Sequence, residues 1–135
     1  MQQLSKAIIA QYNANADLKA ALPNGLWDTE APQGTNCPYG VFSMPGQATR
    51  MTFTDDVLTQ MIQIKLYSDN TGSSAPLDGI LIKLLAAFNY CQLTVEDYTF
   101  LSMYKVNVLK NKNEATRFWE YLVMFQVMLA ENRIE

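Results

Sequence analysis

Histidine is absent from this sequence. Its absence removes the common Ser-His-Asp and Cys-His arrangements for nucleophilic catalysis. Cysteine is scarce: Cys37 and Cys91 stand far apart in the chain. Two thiols with no histidine beside them cannot complete a zinc site. They read as free thiols of a reducing compartment, unless the fold brings them together. Charge is also sparse, at 17% of residues against the roughly 25% of ordinary soluble domains. The 10 basic and 13 acidic residues leave a net charge of −3 with no basic stripe, so sequence-specific nucleic-acid binding is not expected. No window of about 20 apolar residues exists, which argues against a membrane-spanning helix. The start "MQQLSKAIIAQYNAN" has only a short apolar run and no small-residue cleavage site, so it does not read as a signal peptide. The turn "DNTGSS" lacks the glycine spacing and the lysine of a phosphate-binding loop.

What is present is apolar material. Hydrophobic residues make up 49% of the 135 positions, enough for one domain over 1–135 with its own core. A chain of this size buries roughly two thirds of its unfolded surface. The surplus of apolar over charged residues points to exposed apolar surface, hence to a partner or to self-association.

Periodicity divides the chain into elements. Leu4, Ala7, Ile8 and Tyr12 fall on one face of a helix over 3–16. "ADLKAAL" adds a further turn with Asp17 as its cap, and Pro23-Asn24-Gly25 stops it. Leu26-Trp27-Asp28 reads as a short strand and "TEAPQGTNCP" as a loop, with Ala31 and Cys37 held extended by the prolines after them. Tyr39 to Met44 reads as a second strand closed by Pro45-Gly46. In "DDVLTQMIQIKLYS", Leu58, Ile62, Ile64 and Leu66 alternate with Thr59, Gln63 and Lys65, a strand with one wet side. Gln60 interrupts its apolar face. "SAPLDGILIKLLAAFNY" carries Leu77, Ile80, Leu81, Leu84, Leu85 and Phe88 at helical spacing, with Ser74 as cap, Pro76 in the first turn and Asp78 near the positive end of the dipole. Gly79 inside it costs about 1 kcal/mol against alanine.

"YTFLSMYKVNVL" alternates Tyr98, Phe100, Tyr104, Val106 and Val108 against Thr99, Lys105 and Asn107. "RFWEYLVMFQVML" places Trp119, Tyr121, Val123, Phe125, Val127 and Leu129 on one side, and its β-branched and aromatic content favours strand over helix. The two pair as a hairpin turning through Lys110–Thr116. The fold class that follows is α+β: a mostly antiparallel sheet with two main helices packed on one face.

Chemistry-bearing residues are few. Asp28 with Glu30, Asp55 with Asp56, and Glu96 with Asp97 form acidic pairs of the kind used in acid–base work or metal binding. Their place in polar loops and at strand ends reads instead as solvated charge. Met103, Met124 and Met128 offer a plastic binding surface or core filling. No catalytic residue, cofactor or metal is expected, and the chain does not read as an enzyme.

The stretch "LWDTEAPQGTNCPYGVF", residues 26–42, resembles the tail completion proteins of long-tailed phages, also called tail terminator or head-tail joining proteins. The pieces that carry the resemblance are Leu26-Trp27-Asp28, Ala31-Pro32-Gln33-Gly34 and Pro38-Tyr39, with Ala31 standing where that loop pattern has its first proline. The downstream order of strand, polar turn, amphipathic helix and closing hairpin is similar too. The resemblance implies a non-enzymatic virion protein, made in the host cytoplasm. It would form a ring, usually of six subunits, at the head-proximal end of the tail. It would stop growth of the tail tube protein and present a surface to the head connector or neck protein. Glu30, Ala31, Pro32, Gln33, Gly34, Thr35, Asn36 and Pro38 then form a candidate contact loop, whose prolines lower the entropy lost on docking; a stiff connector between strands is the plainer reading. Two alternatives stand beside this one: a head-tail adaptor on the portal side, and a small non-viral ligand-binding α+β domain with a pocket lined by Trp27, Tyr39 and Trp119.

Overall fold

The computed structural model describes residues 2–36, 38–51, 55–68, 75–112 and 119–132. Three helices, α1 (Gln2–Ala14), α2 (Ala16–Ala21) and α3 (Ala75–Phe88), accompany five strands: β1 (Leu26–Asp28), β2 (Tyr39–Met51), β3 (Asp55–Ser68), β4 (Tyr98–Lys112) and β5 (Trp119–Asn132). The strands form one sheet in the order β1-β2-β3-β5-β4. Only the three-residue β1–β2 pairing is parallel; the rest is antiparallel. The fold is α+β, as the periodicities indicate.

The alternation in β3 and β5 decides which face is covered. Leu58, Ile62, Ile64 and Leu66 stand opposite Leu129, Phe125, Val123 and Tyr121, and all eight are buried. Leu4, Ile8, Leu18, Leu22, Leu77, Leu84 and Phe88 from the helices close over them, and Phe88 meets Phe125 with ring centroids 6.3 Å apart. Gln60 lies on this covered face, 2% exposed, with its amide donating to the Met61 carbonyl at 2.9 Å. That bond is what lets a polar side chain occupy an apolar layer. The N-terminal helices are tied down by polar bonds: Tyr12 donates to the Leu22 carbonyl at 2.5 Å in a buried bond, and Gln11 to the Ala87 carbonyl at 2.8 Å in a partly buried one.

Four expectations need correction. The helix expected over 3–16 ends at Ala14, and the cap of the next turn is Asn15, not Asp17: its Oδ1 accepts the Leu18 N–H at 2.9 Å. An uncharged amide at the cap and a carboxylate in the first turn both suit a helix start, so the side chain alone does not choose between them.

Pro45-Gly46 does not close β2. The strand continues to Met51 through a register shift between Ser43 and Gly46, a bulge that accommodates a proline unable to donate a ladder bond.

In β4 the expected alternation changes phase twice, at shifts between Phe100 and Ser102 and between Lys105 and Asn107. Met103 is therefore the buried residue of mid-strand, Tyr104 moves to the face opposite the one expected, and Lys105 stands opposite Phe125. Leu101 and Val106, the two bulged residues, are each 49% exposed.

Finally, the hairpin turn starts later than Lys110, since pairing persists to Lys112 opposite Trp119; positions 113–116 of that expected turn, and the expected cap Ser74, lie outside the described residues.

Candidate functional site

The loop after β1 is built by backbone constraint. Gly25 precedes the strand at φ +107°, and its carbonyl accepts the Gly40 N–H at 2.9 Å, which fixes β1 beside β2. Gly40 itself allows the close approach: a Cβ there would stand 2.9 Å from Leu26 Cδ1 and 3.2 Å from Leu66 Cδ2. The chain then reverses at Thr29, whose φ of +66° is rare for a β-branched residue. Its N–H donates to the Phe42 carbonyl at 2.7 Å and its hydroxyl to Asp28 Oδ1 at 2.9 Å. Those two bonds hold a conformation that otherwise costs about 1–2 kcal/mol. Residues Pro32–Thr35 form a four-residue turn closed by the Thr35 N–H on the Pro32 carbonyl at 3.1 Å, reinforced by the Thr35 hydroxyl. Gly34, third in that turn, has φ +84°, the position where a type II turn requires glycine.

This loop lies over the uncovered face of the sheet and encloses an open cleft of about 410 Å³. Glu30, Ala31, Pro32, Gln33, Gly34 and Thr35 line it from the loop side. The floor is Tyr39, Val41 and Ser43 of β2 with Gln63, Lys65 and Tyr67 of β3. Tyr39 and Tyr67 stack with centroids 5.0 Å apart. Burial pushes the Tyr67 phenol above its ordinary value, with the Glu120 carboxylate and Tyr39 adding to the shift, so it stays protonated. Asn36 is exposed and outside the lining, Pro38 is half-buried at the start of β2, and Cys37 lies outside the described residues.

The other candidates do not assemble into chemistry. Asp28 and Glu30 are both exposed. Glu96 and Asp97 are exposed as well. The side chains of Asp55 and Asp56 lie outside the described ones. Among the described residues no group of three or more His, Cys, Asp or Glu is placed to hold a metal ion. Met103 is core, whereas Met124 and Met128 are half-buried on the open face. Cys91 is a free thiol whose Sγ lies 3.7 Å from Met103 Sδ, and burial pushes it up to about 11. The pocket expected from Trp27, Tyr39 and Trp119 is not formed. The register puts Trp27, beside Val41, and Tyr39 on the open face, and Trp119, opposite Ser68, on the covered one. A second polar cluster, not foreseen from the sequence, joins α3 to the hairpin. Tyr121 donates to Asp78 Oδ1, and Lys110 Nζ lies 3.6 Å from the same oxygen. Burial and the Asp78 carboxylate together push the Tyr121 phenol up to about 12.

No family model matches the sequence, and no curated protein matches it. Solved structures do match. A chain described as "Virion of native gene transfer agent (GTA) particle" superposes with a TM-score of 0.79 at 15% identity, over 94% of this chain and 94% of that one. The protein shares its fold with a virion chain. A second solved chain, of no stated function, superposes at a TM-score of 0.61 and 10% identity, covering 97% of this chain and 98% of that one. Both superpositions span essentially the whole of each chain, so the common object is the complete sheet with its helices.

Proposed function

We propose that the protein is a structural, non-enzymatic virion component that assembles as a ring at the head-proximal end of a phage tail and takes part in joining head to tail. The observation that carries this reading is the end-to-end likeness in fold to a chain of a gene transfer agent virion. The resemblance of residues 26–42 to tail completion proteins supports it independently. The candidate loop has the properties of a contact element: a type II turn and a locked reversal at Thr29 hold its shape before any partner arrives, which lowers the entropy lost on docking. An interface of standard size takes about 800 Å² from each partner. Two per subunit would cover about a fifth of the 7781 Å² surface.

The test is the mass of the chain in solution, alone and with tail tube protein, combined with electron microscopy of labelled chain on particles. A closed ring that caps tube ends is the expected result. Label found on the portal side of heads would favour the adaptor reading instead. A chain that stays monomeric and ignores tube ends would refute the proposal.

A further inference from the structure

β4 is the last strand of the sheet, and among the described residues no other strand lies beside its outer edge. It runs for 15 residues. Leu101, Val106 and Leu109 stand half-exposed or more along it. A long edge of apolar and β-branched residues is a template on which another strand can add. Lysine is a common guard of such edges. Here it stands at 105, 110 and 112, but Lys110 is already paired with Asp78, and the exposed Glu96 and Asp97 precede the strand. Charge alone therefore guards this edge poorly.

The backbone is guarded instead, by the turn that follows α3. The Tyr90 N–H donates to the Met103 carbonyl at 2.9 Å, and the Lys105 N–H donates to Asn89 Oδ1 at 2.9 Å. These two backbone groups flank Tyr104 on the outer edge. One residue of a parallel neighbouring strand would engage the same pair with its own N–H and C=O. The turn imitates that rung: Tyr90 supplies the N–H, and the Asn89 amide oxygen stands in for the carbonyl. Further along, the Val108 N–H is held by Asn107 Oδ1 at 2.9 Å. Register shifts at Leu101 and Val106 break the regular spacing on both sides of the occupied rung. The turn itself is fixed in place. The Asn89 N–H bonds to the Leu85 carbonyl at 2.8 Å, and the buried Phe88 packs on Phe125. Tyr90 has φ +58°, a left-handed position where glycine is usual. A side chain kept in that conformation marks a turn over-determined by its surroundings.

We propose that the Asn89–Tyr90 turn is a plug that blocks strand addition at the outer edge of β4 and so keeps copies of this chain from joining sheet to sheet there. The contact is self-inhibitory: part of the chain occupies the backbone groups that a second chain would otherwise take. This goes beyond the ring reading and does not depend on it, since an edge that recruits strands is a hazard to a monomer and to an assembled subunit alike.

Asn89→Ala tests it by removing the acceptor of the Lys105 N–H. Hydrogen exchange reads that amide, and thioflavin fluorescence with sedimentation reads strand-on-strand assembly. Exchange at Lys105 is expected to rise about fivefold, the effect of losing one hydrogen bond. Thioflavin-positive assemblies are expected at a concentration where the unaltered chain forms none. Asn89→Asp keeps an acceptor oxygen and should behave like the unaltered chain. Leu101→Lys added to Asn89→Ala puts a charge on the edge and should suppress the assemblies. Two controls separate the plug from stability. Asn15→Ala weakens α2, away from β4, and should form no such assemblies. Asn89→Ala combined with Tyr90→Gly regains stability, because glycine accepts the left-handed backbone, and should assemble all the same. The plug would be overturned by an Asn89→Ala chain that stays soluble or assembles no faster than Asn15→Ala. It would equally be overturned by unchanged Lys105 exchange, by assemblies that Leu101→Lys does not slow, or by a Tyr90→Gly double variant that stays soluble.

Discussion

Gly40→Ala isolates the packing of the strand that launches the loop. At Gly40 the backbone needs no special φ, so alanine brings no conformational strain; by backbone entropy alone it would stabilise by about 0.5–1 kcal/mol. The obstacle is space. The new methyl would stand 2.9 Å from Leu26 Cδ1 and 3.2 Å from Leu66 Cδ2, with the Lys65 carbonyl oxygen at 3.5 Å. Ordinary carbon–carbon contact is about 3.5–4.0 Å, so Leu26 must retreat by about 0.6 Å and Leu66 by a few tenths. Both leucines are buried. Leu26 sits on a three-residue edge strand and is the one able to yield. Overpacking of this kind costs about 1–3 kcal/mol. Set against the entropic gain, the net loss is about 0–2.5 kcal/mol and centred near 1 kcal/mol, a fall in Tm of up to roughly 10 °C for a chain of this length. Thermal and urea unfolding of the monomer measure it. A double variant then checks the cause. Leu26→Ala alone should cost about 2–5 kcal/mol through the cavity it leaves. Combined with Gly40→Ala it should cost less than the sum by about 0.5 kcal/mol or more, because the added methyl no longer collides and partly fills the gap. A stabilising Gly40→Ala, or strict additivity in the pair, would refute the packing argument.

Three further outcomes are expected. Asn15→Ala should lower stability by about 1 kcal/mol by uncapping α2, and Asn15→Asp should recover most of it, both read from urea midpoints. Gly34→Ala should cost about 1 kcal/mol from its positive φ alone, since a Cβ there meets no atom within 4 Å; asparagine at the same position should cost less, and equal losses for the two would contradict a purely backbone origin. Tyr121 keeps its proton in the folded state up to about 12, above its unfolded value near 10. The stabilisation this gives is complete below pH 10 and disappears as pH rises through about 12. Wild-type stability should therefore fall more steeply across that window than that of Tyr121→Phe, and parallel curves would count against the Tyr121–Asp78 bond.

The loop and its cleft show how far local reading reaches. Pro32, Gly34 and Pro38 announce a stiff connector, because proline and glycine restrict or release φ wherever they stand. The floor of the cleft was invisible. Tyr39, Val41, Ser43, Gln63, Lys65 and Tyr67 come together only through the β2–β3 register, and a one-residue slip of β2 would send its three to the other face, away from the three of β3. The same limit explains β4, where two bulges reset the alternation and no residue type marks them, and Pro45-Gly46, which ends a strand in many chains and here bends one.

The sequence by itself determined the strands β3 and β5, the amphipathic faces of α1 and α3, and the absence of histidine-based chemistry. Those features depend on period and residue type, which are local properties. Tertiary structure alone decided which strands stand at the edges of the sheet, and that the turn at Asn89 and Tyr90 lies against one of them. Strand order is the reason: β5 inserts between β3 and β4 because burying its apolar face against both neighbours outweighs adjacency in the chain, and no pattern within a single strand records that outcome.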